Sequence, residues 1–348
     1  MKQSDNSLKL SPEGNDMKSI LRLMTLSMVA LAITVGGFAK TAAAKFPKRP
    51  ITILVYTKPG GAADRDARKL SIIAERLTNT KFVVKNKTGA GGMIAMKHVL
   101  RQKADGYTLM AMTKSPIYKT VTSGSNVDVK GFDWISMTMS DAEVVITNKK
   151  TKVKTWADVL ALAKKLNANG KKPIWVGPAA GGLDHIFGLK VAKAAGIKFK
   201  YIPFKGGKNA IIQLLGGRGV VYLGNAQDTL AQPDLMVAAV ARSTRLKGFP
   251  DAPTFKELGI NGLENEVMWR GYGAKKGIPT EAVKFYDDMF VKLNKDAEWK
   301  NYVLKKSVDP VNVTHGEFLS VILQDQKDVK FWMQEANIKV KKKKKKKK

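Results

Sequence analysis

The sequence predicts an α/β protein of two lobes, and three observations carry that prediction. Short β-rich runs alternate with helical stretches in two separate series. Glycine-rich loops stand where strand gives way to helix, and the last third turns to helical stretches alone. Such alternation implies βαβ units and a mainly parallel sheet.

The first series runs through "ITILVY", a helix over Asp64 to Thr78, "KFVV", a helix over Gly92 to Arg101, and "YTLMAM". In its first helix Ala63, Ala67, Leu70, Ala74 and Leu77 recur at spacings of three and four, which builds one apolar face. The second series opens with a helix over Thr155 to Asn167, whose Thr155 and Asp158 have capping-box spacing. It continues through "KPIWVG", a helix over Leu183 to Ala195, "FKYI", a helix over Asn209 to Leu215, and "VVYL". The C-terminal stretches, Thr280 to Lys295, Ala297 to Lys305 and His315 to Asn337, show no clear strand among them and are expected to pack on a lobe already formed. The resulting division is 46–147 for the first part of lobe 1, 148–265 for lobe 2 and 266–340 for the returning C-terminal helices.

The 348 residues include 61 basic and 29 acidic ones, a net charge of +32. The last eight, Lys341 to Lys348, are all lysine, a run that repels itself and reads as a solvated, disordered tail. Near the other end, Lys18 and Arg22 precede the apolar segment Leu23 to Ala39, and Ala42 to Ala44 offer the small residues that signal peptidase cuts. Residues 1–44 therefore read as a signal peptide, with Met17 an alternative start and a permanent membrane anchor the competing reading. Without the tail and this segment the charge is still +22. Such a surface attracts acidic ligands and anionic lipid, but no aromatic-interleaved basic motif marks nucleic-acid binding. The absence of cysteine excludes disulfides, cysteine metal sites and lipid attachment through an N-terminal cysteine. An exported, cysteine-free chain fits the periplasm of a Gram-negative cell.

The loops carry the candidate chemistry. In "YTKPGGAAD" the strand ends, Pro59 fixes a backbone angle, and Gly60 and Gly61 permit conformations closed to other residues. The amides of Ala62, Ala63 and Asp64 then fall at a helix N-terminus, unpaired and backed by the positive end of the helix dipole, an arrangement that binds carboxylate or phosphate. An ordinary βα turn capped by Asp64 is the alternative. "KTGAGGMIA", with Gly91 and Gly92, and "VGPAAGGLDH", with Ala180, Gly181, Gly182 and Asp184, repeat the arrangement. Open parallel sheets gather such loops at the carboxyl ends of their strands.

Rival chemistries find no support. "GAGGMI" meets only the first two glycines of the dinucleotide fingerprint, and the following strand ends at Lys114 rather than at an acidic ribose ligand. The phosphate-loop Gly-Lys-Ser/Thr pattern and the "GxSxG" elbow are absent, and His98, His185 and His315 lack metal-ligand spacing. His185 beside Asp184 reads either as an acid-base pair or as a histidine orienting the glycine loop. No enzyme activity, cofactor or metal is expected.

The segments "RPITILV", "KPGGAADRDAR", "VVKNKTGAGG" and "ADGYTLM", followed by "VKTWADVLALAK", "YIPFKGGKNAIIQLLGGRG" and "RSTRLKGFPDAPTFKELGI", resemble the periplasmic substrate-binding proteins of tripartite tricarboxylate transporters, the Bug receptors. The resemblance covers Phe46 to about Val340. It implies a two-lobed type II periplasmic-binding-protein (Venus-flytrap) fold that holds a small carboxylate by loop amides and bridging waters. The carboxylate would be a di- or tricarboxylate, an acidic amino acid or an aromatic acid. It also implies delivery to large and small membrane subunits by a monomeric receptor. A same-fold sensor feeding a two-component system is the alternative, and an anion- or nucleic-acid-adhering basic protein a third reading. By this likeness Gly60 to Asp64 and Gly89 to Gly92 match the first two carboxylate loops. "GPAAGGLDH" departs by one residue and two hydroxyls. Lys58, Lys114 and Ser115 stand where the family has other residues, so that the two lysines either add cations to the cleft or are merely solvated. Asn225 and Gln227, after "VVYL", complete the candidate site.

Overall fold

A computed structural model describes residues 46–336 and 338. The apolar segment and triple alanine read as a signal peptide, and the lysine run, lie outside the described residues.

The first series folds as β1 (Ile51–Val55), α1 (Ala62–Thr78), β2 (Phe82–Asn86), α2 (Met93–Leu100), β3 (Thr108–Thr113) and α3 (Lys114–Thr122). Its strands pair in parallel in the order β2-β1-β3. The apolar face expected of α1 forms: Ala63, Ala67, Leu70 and Ala74 are buried against Ile51, Ile53 and Val55, while Ile72 and Arg76 face outward. A 17-residue strand, β4 (Phe132–Asn148), follows and leads into the second series. That series is α4 (Trp156–Ala168), β5 (Ile174–Pro178), α5 (Leu183–Ala194), β6 (Lys200–Phe204), α6 (Gly207–Leu215), β7 (Val221–Asn225) and β8 (Leu235–Val240). The Thr155–Asp158 capping box is present at α4. The chain returns through β9 (Val267–Lys275), α7 (Thr280–Lys295), α8 (Ala297–Leu304), β10 (Asp309–Val313) and α9 (His315–Glu335).

Two expectations are corrected here. The sheet is mixed rather than mainly parallel, because β4 and β9 run from one series to the other and pair antiparallel with their neighbours: β9 with β3 and β4, and β4 with β7, β8 and β10. Strands also occur in the C-terminal third. β10 escaped notice because its five half-buried residues include Pro310, so it shows neither an apolar run nor alternation; a proline is tolerated there because β10 lies beside β4 alone.

The order across the sheet is β2-β1-β3-β9-β4-β7-β5-β6. Helices cover both faces, which is why β1, β3, β5 and β7 read as near-continuous apolar runs. α7 and α8 pack on α1, whereas α9 packs on α3 and β4 and reaches α5 of the second series. On that face Phe318 stands edge-on to Trp134 and Trp269, with ring centroids 5.5 and 5.0 Å away. Each such contact contributes about 0.5–1.5 kcal/mol beyond area burial. In the second series Trp175 stacks on Phe199 at 4.4 Å and Trp156 meets Phe255 at 5.1 Å.

Candidate functional site

The loops after β1, β2, β3, β5, β6 and β7 converge on a cleft of about 340 Å³. The helices that follow four of them, α1, α3, α5 and α6, begin without a side-chain cap. Their first-turn amides have no partner within the helix and carry the positive end of its dipole. Ala62 and Ala63 bring α1 to the cleft, Ser115 brings α3, Asp184 brings α5 and Gly207 brings α6; Gly91 comes from the second loop. Gly91 and Gly206 hold φ of +63° and +92°, a region that favours glycine, and Gly91 lets the loop lie against Lys119.

The candidate residues divide plainly. Ala62, Ala63, Gly91, Ser115, Gly182, Asp184, Asn225 and Gln227 line the cleft. Lys58, Gly60, Gly61, Asp64, Gly92, Lys114, Ala180 and Gly181 do not. Lys58 is exposed. The amides of Gly60 and Gly61 are already used, donating to Asp64 Oδ2 at 2.8 Å and to the Lys58 carbonyl at 3.1 Å. Asp64 is consumed by its own turn: it also accepts from Asn86 Nδ2 at 2.8 Å and pairs with Arg68 at 3.0 Å. Burial works against its charge, but Arg68, Asn86 and the Gly60 amide outweigh burial and hold its pKa below the ordinary value. Lys114 is buried and points away from the cleft into an ion pair with Asp325 at 3.1 Å, beside the Tyr118 ring.

In the third loop Gly182 donates to the Ala179 carbonyl at 3.0 Å and Gly181 to His185 Nδ1 at 3.1 Å. His185 stacks on Tyr201 at 4.2 Å, and burial lowers its pKa to about 4, so its neutral ring is an acceptor that orients the loop.

The sequence reading missed the cations and carboxyls that face or underlie the cleft. Arg270 of β9 lines it; the residue is 7% exposed, with Nε 3.2 Å from Asp66 and Nη2 3.0 Å from Asp141. Its Nη1 is buried with no hydrogen-bond partner among the described residues. Lys119 also lines the cleft and donates to the Ala180 carbonyl at 3.4 Å, from the loop of one series to that of the other. Asp141 and Glu143 on β4 are wholly buried behind cleft residues: Gln227 donates to Asp141, and Asn225 donates to Glu143 at 3.1 Å. Asp228, which accepts from Tyr222 at 2.7 Å, lines the cleft beside them. Burial raises Asp141 to about 7 despite the pull of Arg270. Burial likewise raises Glu143, Asp184 and Asp228, and the Glu143 and Asp184 charges oppose each other. One signal was legible: Asp141 and Glu143, two apart in an apolar strand, share a face. Arg270, alone in "VMWRGYG", was a second.

Residues 67–338 match the profile of the tripartite tricarboxylate transporter family receptors, TctC. The chain belongs to this family. As a TctC receptor it is 28% identical over 308 residues to a protein encoded in the gbd 5′ region of Cupriavidus necator, covering 86% of this chain and 91% of that one. Among solved structures, one described as a periplasmic transporter superposes with a TM-score of 0.75 at 27% identity, covering 85% of this chain and 99% of that one. The R. palustris protein Rpa4515, solved with adipate, gives 0.75 at 21% identity over 84% and 98% of the two chains. The family is one of two-lobed, periplasmic solute-binding receptors, a class that is not enzymatic. Among the described residues no helix of this TctC receptor is long and apolar enough to cross a membrane, and no group of acidic or histidine side chains is arranged to hold a metal ion.

Proposed function

We propose that this protein is a periplasmic receptor that holds a small organic carboxylate in the cleft and delivers it to a tripartite tricarboxylate transporter. The observation that carries the reading is the convergence of four uncapped helix N-termini on one cleft lined also by Arg270, whose buried Nη1 has no hydrogen-bond partner among the described residues. Oriented amides and an unused guanidinium N–H are the groups that bind a carboxylate. The adipate bound to Rpa4515 supports the same ligand class. The anchoring residues are Ala62, Ala63, Gly91, Ser115, Gly182, Asn225 and Gln227, joined by Arg270 and Lys119.

In this reading the lobes are 46–147 with 266–340, and 148–265, and they close on the ligand as a monomer, a population shift driven by contacts made only when both lobes touch it. The closed form is what the large and small membrane subunits recognise. An N-terminal signal peptide directs export, and no chemistry is done on the ligand.

A thermal-shift screen of di-, tri- and aromatic carboxylates and acidic amino acids tests the proposal. A ligand at one hundred times its Kd stabilises by about 2.7 kcal/mol. Absence of a shift with every carboxylate at millimolar concentration would overturn it.

A further inference from the structure

Four carboxyls gather at the cleft with one buried cation among them. Asp184 and Asp228 line it, while Asp141 and Glu143 lie wholly buried behind Gln227 and Asn225. The cation is Arg270, which divides its guanidinium between Asp141 at 3.0 Å and Asp66 at 3.2 Å. Of the four carboxyls, Asp141 alone is ion-paired among the described residues. Asp141 Oδ1 and Glu143 Oε2 are buried without a donor. Asp228 Oδ2 is engaged by the Tyr222 hydroxyl at 2.7 Å and the Asn225 amide at 3.3 Å. Asp184 accepts only from its own backbone amide among the described residues.

The groups that face Asp184 do not relieve it. Glu143 of β4 and Asp228 after β7 are acids, and the hydroxyls of Tyr56, Tyr201 and Tyr222, from β1's end, β6 and β7, are kept neutral by burial. His185, next to it in α5, is neutral as well. The cations act on its neighbours: Arg270 on Asp141 and Asp228, Arg65 on Asp228, and Lys114 on Glu143. Lys119 also lines the cleft, donating to the Ala180 carbonyl. Four buried carboxyls around one shared guanidinium cannot all ionise, and burial raises every one of them, Asp141 and Asp184 to about 7. A carboxylate entering the cleft adds another negative charge, which favours the protonated form of each neighbouring acid still further.

We propose that the receptor takes up a proton as it binds its carboxylate, and that Asp184 is the group that takes it and donates the resulting O–H to the ligand. This rests on the carboxylate reading of the cleft and adds to it a link between loading and pH that holds whichever carboxylate is the ligand. Asp184 is singled out because it lines the cleft with no ion pair and no side-chain donor, whereas Asp141 is tied to Arg270, Asp228 to Tyr222, and Glu143 lies behind Asn225. Ionised, it repels the ligand; protonated, it becomes a donor beside the helix amides. Loading is therefore tightest in acid, and a rise in pH promotes release.

Titration calorimetry of the full chain with succinate, adipate, glutamate and benzoate, run at pH 7.5 in HEPES and in Tris, counts the protons from the difference in heat between the two buffers. A group half-protonated at pH 7 and fully protonated in the complex takes up about 0.8 proton at pH 7.5, and Kd rises about eightfold from pH 6.5 to pH 8. The carboxyls of all four probes are ionised across that range, so the proton goes to the protein. At least one probe should show this uptake. Asp184→Asn, shown to fold by thermal melts, should bring the count below about 0.2 and hold the change in Kd to within about twofold. An Asp184 that merely props its loop would, when replaced, weaken binding at every pH and leave the count unchanged. If every probe that binds does so without proton uptake, or if the uptake survives Asp184→Asn, the inference falls and the carboxylate reading stands. If no probe binds even at pH 6.5, both fall.

Discussion

Replacing Asp141 by Asn should flatten the pH dependence of folding by a calculable amount. Asp141 is 0% exposed, and burial raises it to about 7 even with the Arg270 guanidinium 3.0 Å away. In the unfolded chain its pKa is about 3.9. The folded value is the higher one, so the contribution of the protonated group is fully present below about pH 4 and is lost as pH rises through 7. Three units at about 1.36 kcal/mol each make a full loss of about 4 kcal/mol, of which roughly 3 kcal/mol falls between pH 5 and 8. Asparagine is always neutral and keeps an acceptor for Gln227 and Arg270. Urea unfolding at pH 5, 6, 7 and 8 gives the stability of each protein, and the readout is the difference between the two profiles. Glu143, Asp184 and Asp228 are raised too, and the Asp141 charge contributes to raising Glu143, so the difference reports Asp141 together with its effect on that neighbour. The natural protein should lose about 3 kcal/mol more than the variant over this range. Parallel profiles would refute the reasoning, because Asp141 would then ionise at the same pH folded and unfolded.

Two further outcomes are expected. Lys114→Ala removes the partner of Asp325, which also accepts from Trp269 Nε1 at 2.6 Å, and leaves a buried carboxylate without its cation; chemical denaturation should show a loss of about 3–5 kcal/mol. Gly60→Ala meets no atom within 4 Å but must hold φ at +76°, so it should cost about 1–2 kcal/mol by backbone strain alone, read as a lower melting temperature with the turn intact by crystallography.

Much of the frame was legible because period and punctuation are local. The spacing of Ala63, Ala67, Leu70 and Ala74 needs only one helix to be seen, and the glycine loops announce where strands end. What the sequence could not show was how each loop would spend its own hydrogen bonds. Asp64 had the right position for a ligand group and for a turn lock alike; the distances to Gly60, Asn86 and Arg68 decide for the lock. Lys114 reads as a cleft cation only until Asp325, more than two hundred residues away, takes it. Arg270 stayed hidden for the converse reason: it lies in mid-strand, far in sequence from every glycine loop, and only the pairing of β9 with β3 and β4 carries it to the cleft.

That same pairing scheme limits how the molecule can be divided. Residues 143–146 of β4 pair with β7 and residues 144–148 with β8, so this end of β4 is an interior strand of the second series' sheet, while residues 132–142 of the same strand pair with β9 in the first. A fragment cut from 149 onward would lack the middle of its own sheet and expose two facing rows of unmet amides and carbonyls. The halves are therefore not interchangeable modules. An engineer wishing to graft the second half onto another receptor would have to carry part of β4 with it, and two fragments broken there should regain structure only when mixed.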